Sequence, residues 1–89
     1  MLRIQKRAVG KVVVYALSGY ISAEHVPEME RMLEAESDGV ALVLDLGEIR
    51  LVDREAVNFL ATSEANGIRL ENCPAYVREG ISQLGNDRP

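Results

Sequence analysis

Val40-Ala41-Leu42-Val43-Leu44, preceded by Gly39 and closed by Asp45, is the stretch that decides the fold. An apolar run of this length between a glycine and an aspartate predicts a strand. It does not alternate with polar residues, so it predicts a central parallel strand, with helices on both sides or a covered face.

The flanking sequence supplies those helices. Upstream, Ser22 is an N-cap candidate for a helix carrying Val26, Met29 and Leu33 at i, i+3 and i+7, with Gly39 as its C′ residue. Pro27 would remove one helical hydrogen bond, so the regular helix is predicted to begin near Glu24 or His25. Earlier still, Leu2 to Arg7 alternates and Lys11 to Leu17 is rich in β-branched residues, with Val9-Gly10 between them. This predicts a β-hairpin with Leu2 to Arg7 at the sheet edge, its second strand inside the sheet and ended by Ser18-Gly19-Tyr20.

Downstream, Leu46 to Val52 reads as a loop and short extended piece, and Asp53 as the N-cap of a second helix. That helix is predicted to bury Val57, Leu60 and Ala61, with Ala56 and Phe59 flanking, and to end at Asn66-Gly67. Ile68 to Glu71 reads as a strand, Cys73-Pro74 as a turn, and Ala75 to Leu84 as a helix packing Val77, Ile81 and Leu84. Gly85 to Pro89 reads as a frayed tail. The order β-β-α-β-α-β-α makes residues 1–89 a single α/β domain, a mixed sheet with an initial hairpin and then right-handed βα units. Ligands and partners of such a sheet meet the carboxyl ends of the parallel strands, here the loops after Leu17, Leu44 and Leu70.

Composition narrows the function classes. The 89 residues are 47% hydrophobic and 27% charged, within the globular range and away from disorder. One Cys excludes an intrachain disulfide, and no Cys/His cluster offers a zinc site. No apolar run approaches about 18 residues, so the expectation is a cytoplasmic protein without membrane insertion, Cys73 being a reduced thiol. A formal charge of -4, with one Phe and three Tyr, argues against a nucleic-acid binder. Charge is uneven: Ser22 to Asp38 holds six acidic residues against Arg31, while Met1 to Lys11 holds four basic residues and no acidic one. Such blocks read as a solvated helix face beside a solvated edge strand.

Candidate chemistry collects at Asp45, closing a strand, and at Asp53, Arg54 and Glu55, opening a helix. A helix N-terminus favours negative charge, which Asp53 and Glu55 already supply. Asp45 and Asp53 could alternatively pair around Mg²⁺, but the lysine such a phosphoacceptor site needs is not near: Lys6 and Lys11 belong to the first hairpin. For nucleophilic catalysis, Ser22, Thr62, Ser63 and Cys73 are the candidates with His25 as base, and no spacing brings them together. No glycine-rich phosphate loop is present. The reading is not an enzyme, with no cofactor and no metal.

The segments Leu17-Ser18-Gly19-Tyr20-Ile21, Val26-Pro27-Glu28-Met29, Val43-Leu44-Asp45-Leu46-Gly47 and Leu51-Val52-Asp53, with the helix from Arg54, together resemble a STAS domain, the module of sulfate transporters and anti-sigma factor antagonists. The resemblance spans about Arg3 to Leu84 and rests on joint order and spacing of short motifs. It implies a four-stranded mixed sheet with helices and a protein-binding function. In the antagonists, a "D-S-S-G" turn opens the second helix, and its second Ser is phosphorylated by a partner kinase, the anti-sigma factor, which breaks the complex. Matched position by position, Asp53 stands for the Asp, Arg54 for the first Ser, Glu55 for the phosphoacceptor Ser and Ala56 for the Gly. The acceptor hydroxyl is missing.

The resemblance therefore implies a non-catalytic module docking a protein through Asp45, Asp53, Arg54, Glu55 and Ala56, without a phosphoserine switch. Partners it implies are an anti-sigma kinase-like protein, a sensor, or a transporter component. Alternatives are a STAS subunit of a lipid-transport ABC system, a nucleotide- or Mg²⁺-binding phosphorelay module, and a homodimer formed through the second strand or the acidic helix.

Overall fold

The computed structural model describes residues 1–36 and 39–86. β1 (Leu2–Val9) and β2 (Val12–Ile21) form an antiparallel hairpin, in register from Leu2 opposite Gly19 to Val9 opposite Val12. A 3₁₀ turn (Ala23–His25) leads into α1 (Val26–Glu34). Then follow β3 (Ala41–Val52), α2 (Arg54–Ala65), β4 (Arg69–Glu71) and α3 (Ala75–Asn86). β3 lies parallel to both β2 and β4, giving a four-stranded mixed sheet in the order β1-β2-β3-β4. The α/β class, the element order and the interior position of β2 agree with the sequence.

Side-chain parity assigns the faces. Val13, Tyr15 and Leu17 of β2 join Leu44 and Leu46 of β3 in one buried cluster with Met29 and Leu33 of α1, Phe59 and Leu60 of α2, and Val77 of α3. All three helices thus share one face of the sheet. Full burial of each such side chain contributes about 1.5–3 kcal/mol. Val14 and Val43 are buried but stand outside that cluster, paired with each other on the opposite face. The unbroken apolar run of β3 is therefore explained by cross-strand shielding, Val43 lying between Val14 and Arg69, and not by a second helical layer.

Several expected boundaries move. Ser18-Gly19-Tyr20 continues β2 instead of ending it. Gly19 sits at φ +97, where a Cβ would collide with the Met1 carbonyl oxygen, while Tyr20 N donates to that oxygen at 3.1 Å. Leu46 to Val52 is strand, not loop. Ala16 faces Asp45 but Ser18 faces Glu48, and Gly19 faces Ile49 but Tyr20 faces Leu51, so β3 carries an extra residue at each shift. These bulges break the alternation a strand is recognised by.

α1 starts at Val26, with Pro27 in the first turn, where the missing N–H has no helical partner to lose. Its C-cap is Ala35, so Gly39, at φ +86, lies beyond it and is not the C′ residue. α2 begins after Asp53 and ends at Asn66 with Gly67 at φ +95, as the sequence predicts. Its buried stripe is Ala56, Phe59, Leu60 and Ser63, one position from the expected Val57, Leu60 and Ala61. α3 continues through Gly85 and Asn86, which were expected to fray; the rest of that tail lies outside the described residues. No helix among the described residues is long and apolar enough to cross a membrane.

Candidate functional site

The carboxyl end of β3 delivers Asp53 in an extended conformation, φ -83 and ψ 177. Its N–H donates to the Ile21 carbonyl at 3.1 Å, continuing the β2–β3 pairing by one residue. Its side chain then turns back onto two elements. Oδ1 accepts from Ala56 N at 2.9 Å and caps α2, while Oδ2 accepts from Ala23 N at 2.7 Å and fixes the first residue of the 3₁₀ turn. Both bonds are charge-assisted, and the cap meets the positive end of the α2 dipole.

This clamp orients the three residues that follow. Ala56 is fully buried, its methyl packed in the core, whereas Arg54 and Glu55 are exposed. Neither makes an ion pair among the described residues. The beginning of α2 thus presents an adjacent cation and anion on a rigid first turn. Beside it, Ser22 N donates to His25 Nδ1 at 3.1 Å in a capping box. That bond makes Nδ1 an acceptor and places the neutral ring's proton on Nε2.

Asp45 is elsewhere. It lies in the middle of β3, eight residues before Asp53 and about 20–25 Å away along an extended strand. Its Oδ1 accepts from Gly47 N at 3.0 Å and from Asn72 Nδ2 at 3.1 Å, Asn72 having φ 54. It fastens the bulge of β3 to the turn after β4. The structure therefore brings together Asp53, Arg54, Glu55 and Ala56 and leaves Asp45 apart, so the two aspartates do not form a pair that could share one cation.

The nucleophile candidates are equally separated. Ser22 and His25 meet only in the capping box, and Ser63 is 5% exposed inside the α2 stripe. Burial pushes the Cys73 thiol up, against a smaller opposing effect of Arg78. Its thiolate is disfavoured, which suits an apolar filler beside Pro74.

Two polar latches escaped sequence reading. Arg78 of α3 grips Glu64 of α2 with two bonds of 2.8 and 3.0 Å, holding the Glu64 carboxyl below its ordinary range. Tyr15 donates its hydroxyl to Glu36, which also meets Lys6 at 3.0 Å. Burial, then Glu36, pushes Tyr15 up to about 12. Each latch joins segments separated by at least one intervening element, at separations no periodicity marks. A groove between α1 and α2 that starts at Glu55 was also not anticipated.

No protein-family model and no curated protein matches the chain. Among solved structures, it is similar to the antisigma-factor antagonist STAS domain from Rhodobacter sphaeroides, at 13% identity over 80% of this chain and 86% of that one, TM-score 0.59. A protein of the DUF3478 family with a SpoIIAA-like fold, from Shewanella loihica PV-4, matches at 13% identity over 96% of this chain and 76% of that one, TM-score 0.58. A segment of Mglu matches at 23% identity over 80% of this chain but 19% of that one, TM-score 0.58. At these identities the likeness is one of fold: the chain has a STAS-like fold.

Proposed function

We propose that this STAS-like domain is a non-catalytic protein-binding module of the anti-sigma-factor-antagonist kind, acting in the cytoplasm and docking a partner through the first turn of α2. The observation that carries the reading is the Asp53 clamp, which holds Arg54 and Glu55 outward on a preorganised helix start. Rigid presentation lowers the ordering cost of association, and an adjacent cation and anion set the register of a complementary surface. Glu55 occupies the position that the resemblance assigns to a phosphoacceptor serine. Its single fixed charge replaces a switch worth about -1.5 to -2 charges, so the docking state does not cycle with a kinase. The partner is an anti-sigma kinase-like protein, a sensor or a transporter component.

Affinity capture from lysate of the source organism tests this. Wild type is expected to retain one dominant partner that Arg54→Ala/Glu55→Ala loses while remaining folded by circular dichroism. Retention of every captured protein by that variant removes the α2 turn as the docking surface. A Glu55→Ser/Ala56→Gly variant that becomes phosphorylated in the same lysate assigns the partner to the anti-sigma kinase class.

A further inference from the structure

The α1–α2 layer is incomplete along its length. From Glu55, a groove runs between the two helices past Val26 and Asn58, and continues through Glu30, Phe59 and Thr62 into a cavity of about 230 Å³ reaching Ile68. Its floor is apolar, formed by Leu33, Phe59, Leu42 and Ile68, with Ser63, the one polar side chain among the buried described residues, set into it.

Its rim is acidic and uncompensated. Glu30, Glu34 and Glu55 border the groove, no lysine or arginine lines it, and none of the three is in an ion pair among the described residues. Glu30 and Glu34 are one turn apart on α1, a like-charge spacing that weakens an isolated helix. Three exposed carboxylates around an apolar trough match a ligand that is apolar along one side and positive along its flanks. Helix walls offer no free strand edge, so recognition runs through side chains at i, i+3, i+4 and i+7, as when a helix lies in a groove.

We propose that the α1–α2 groove docks a cationic amphipathic helix of a protein partner, its apolar face on Leu33, Phe59 and Ile68 and its lysines or arginines against Glu30, Glu34 and Glu55. The site shares Glu55 with the first turn of α2, while its other two anchoring charges, Glu30 and Glu34, lie on α1.

The probe is a synthetic helix with leucines along one face and lysines along the other, read by fluorescence anisotropy and by amide shifts in ¹⁵N-labelled protein. Binding is expected to shift the amides of Glu30, Leu33, Phe59 and Thr62, and to weaken on raising salt from about 0.05 to about 0.3 M. Glu30→Gln/Glu34→Gln is expected to lose about three- to tenfold in affinity, while Glu79→Gln on α3 leaves it unchanged. No binding up to about 1 mM protein overturns the proposal. So do shifts that map to the opposite face of the sheet, or equal affinity for the Gln variants. Self-association of the protein alone that the same Gln variants abolish also overturns it, because the occupant is then a second copy.

Discussion

The two halves of the β2–β3 pair are built differently. From Val12 opposite Ala41 to Ala16 opposite Asp45 the register is unbroken, and alternate residues feed the core. From Ala16 to Ile21 the pairing shifts twice, Gly19 takes a positive φ, and β3 carries extra residues. An aspartate marks each half: Asp45 at the last regular pair, tied to Gly47 and Asn72, and Asp53 one residue past the irregular end, tied to Ala23 and Ala56. Regular pairing supplies stability with little to display. The irregular half re-aims the chain so that a helix start projects from the sheet end, where a partner can reach it.

The largest effect is expected where the irregular half meets β1. Gly19→Ala adds a Cβ against the Met1 carbonyl oxygen at a left-handed φ, and is expected to lower stability by about 3 kcal/mol in urea denaturation. Gly10→Ala, at φ +60 with open space around it, isolates the backbone component at about 1 kcal/mol. Equal losses at the two positions would show that the close approach at Gly19 is relieved by movement of the chain start.

The aspartates come next. Asp53→Ala removes a helix cap and the tie to the 3₁₀ turn together, and is expected to cost about 2 kcal/mol. Asp45→Ala loses two exposed bonds, at about 1 kcal/mol, and leaves partner capture intact. If Asp45→Ala abolished capture while Asp53→Ala kept it, the assignment of display to the irregular half would be reversed.

The smallest effect probes the regular half. Tyr15, opposite Leu44, has its hydroxyl pushed from 10.0 up to about 12, chiefly by burial. An acid whose pKa is raised on folding stabilises the fold fully below its unfolded value and loses that contribution as pH rises through the folded one. Stability is therefore expected to fall between pH 10 and about 12, by about 1 kcal/mol at pH 11, in urea titrations compared with pH 9. Tyr15→Phe is expected to flatten that decline. At the acid end Glu36, held below 4.5 first by Tyr15 and then by Lys6, contributes stability above pH 4.5 that is lost as pH falls through its lowered value.

Element order, the hairpin, the interior place of β2 and both ends of α2 were legible in the sequence. Each is written in adjacent residues: an apolar run, a cap, a glycine that accepts a positive φ. The failures share a different cause. Leu46 to Val52 read as a loop because two bulges cancel its alternation. The α2 stripe read one position off because Val57 faces α3, where Gly80 leaves room for it, while Ala56 turns to the sheet. Asp45 read as the close of its strand, although the strand runs on past it to Val52.

What the sequence determined by itself was the set of elements and the cap that opens α2, since propensity, periodicity and capping act within a few residues. What the tertiary structure decided was which polar groups act together. The Asp53 carboxylate reaches Ala23 across 30 residues, Asp45 reaches Asn72 across 27 and Arg78 reaches Glu64 across 14. The acidic groove exists only because α1 and α2 are set side by side on one face of the sheet. Such contacts depend on strand register and helix rotation, which a single residue's shift inverts, and no local pattern in the chain encodes them.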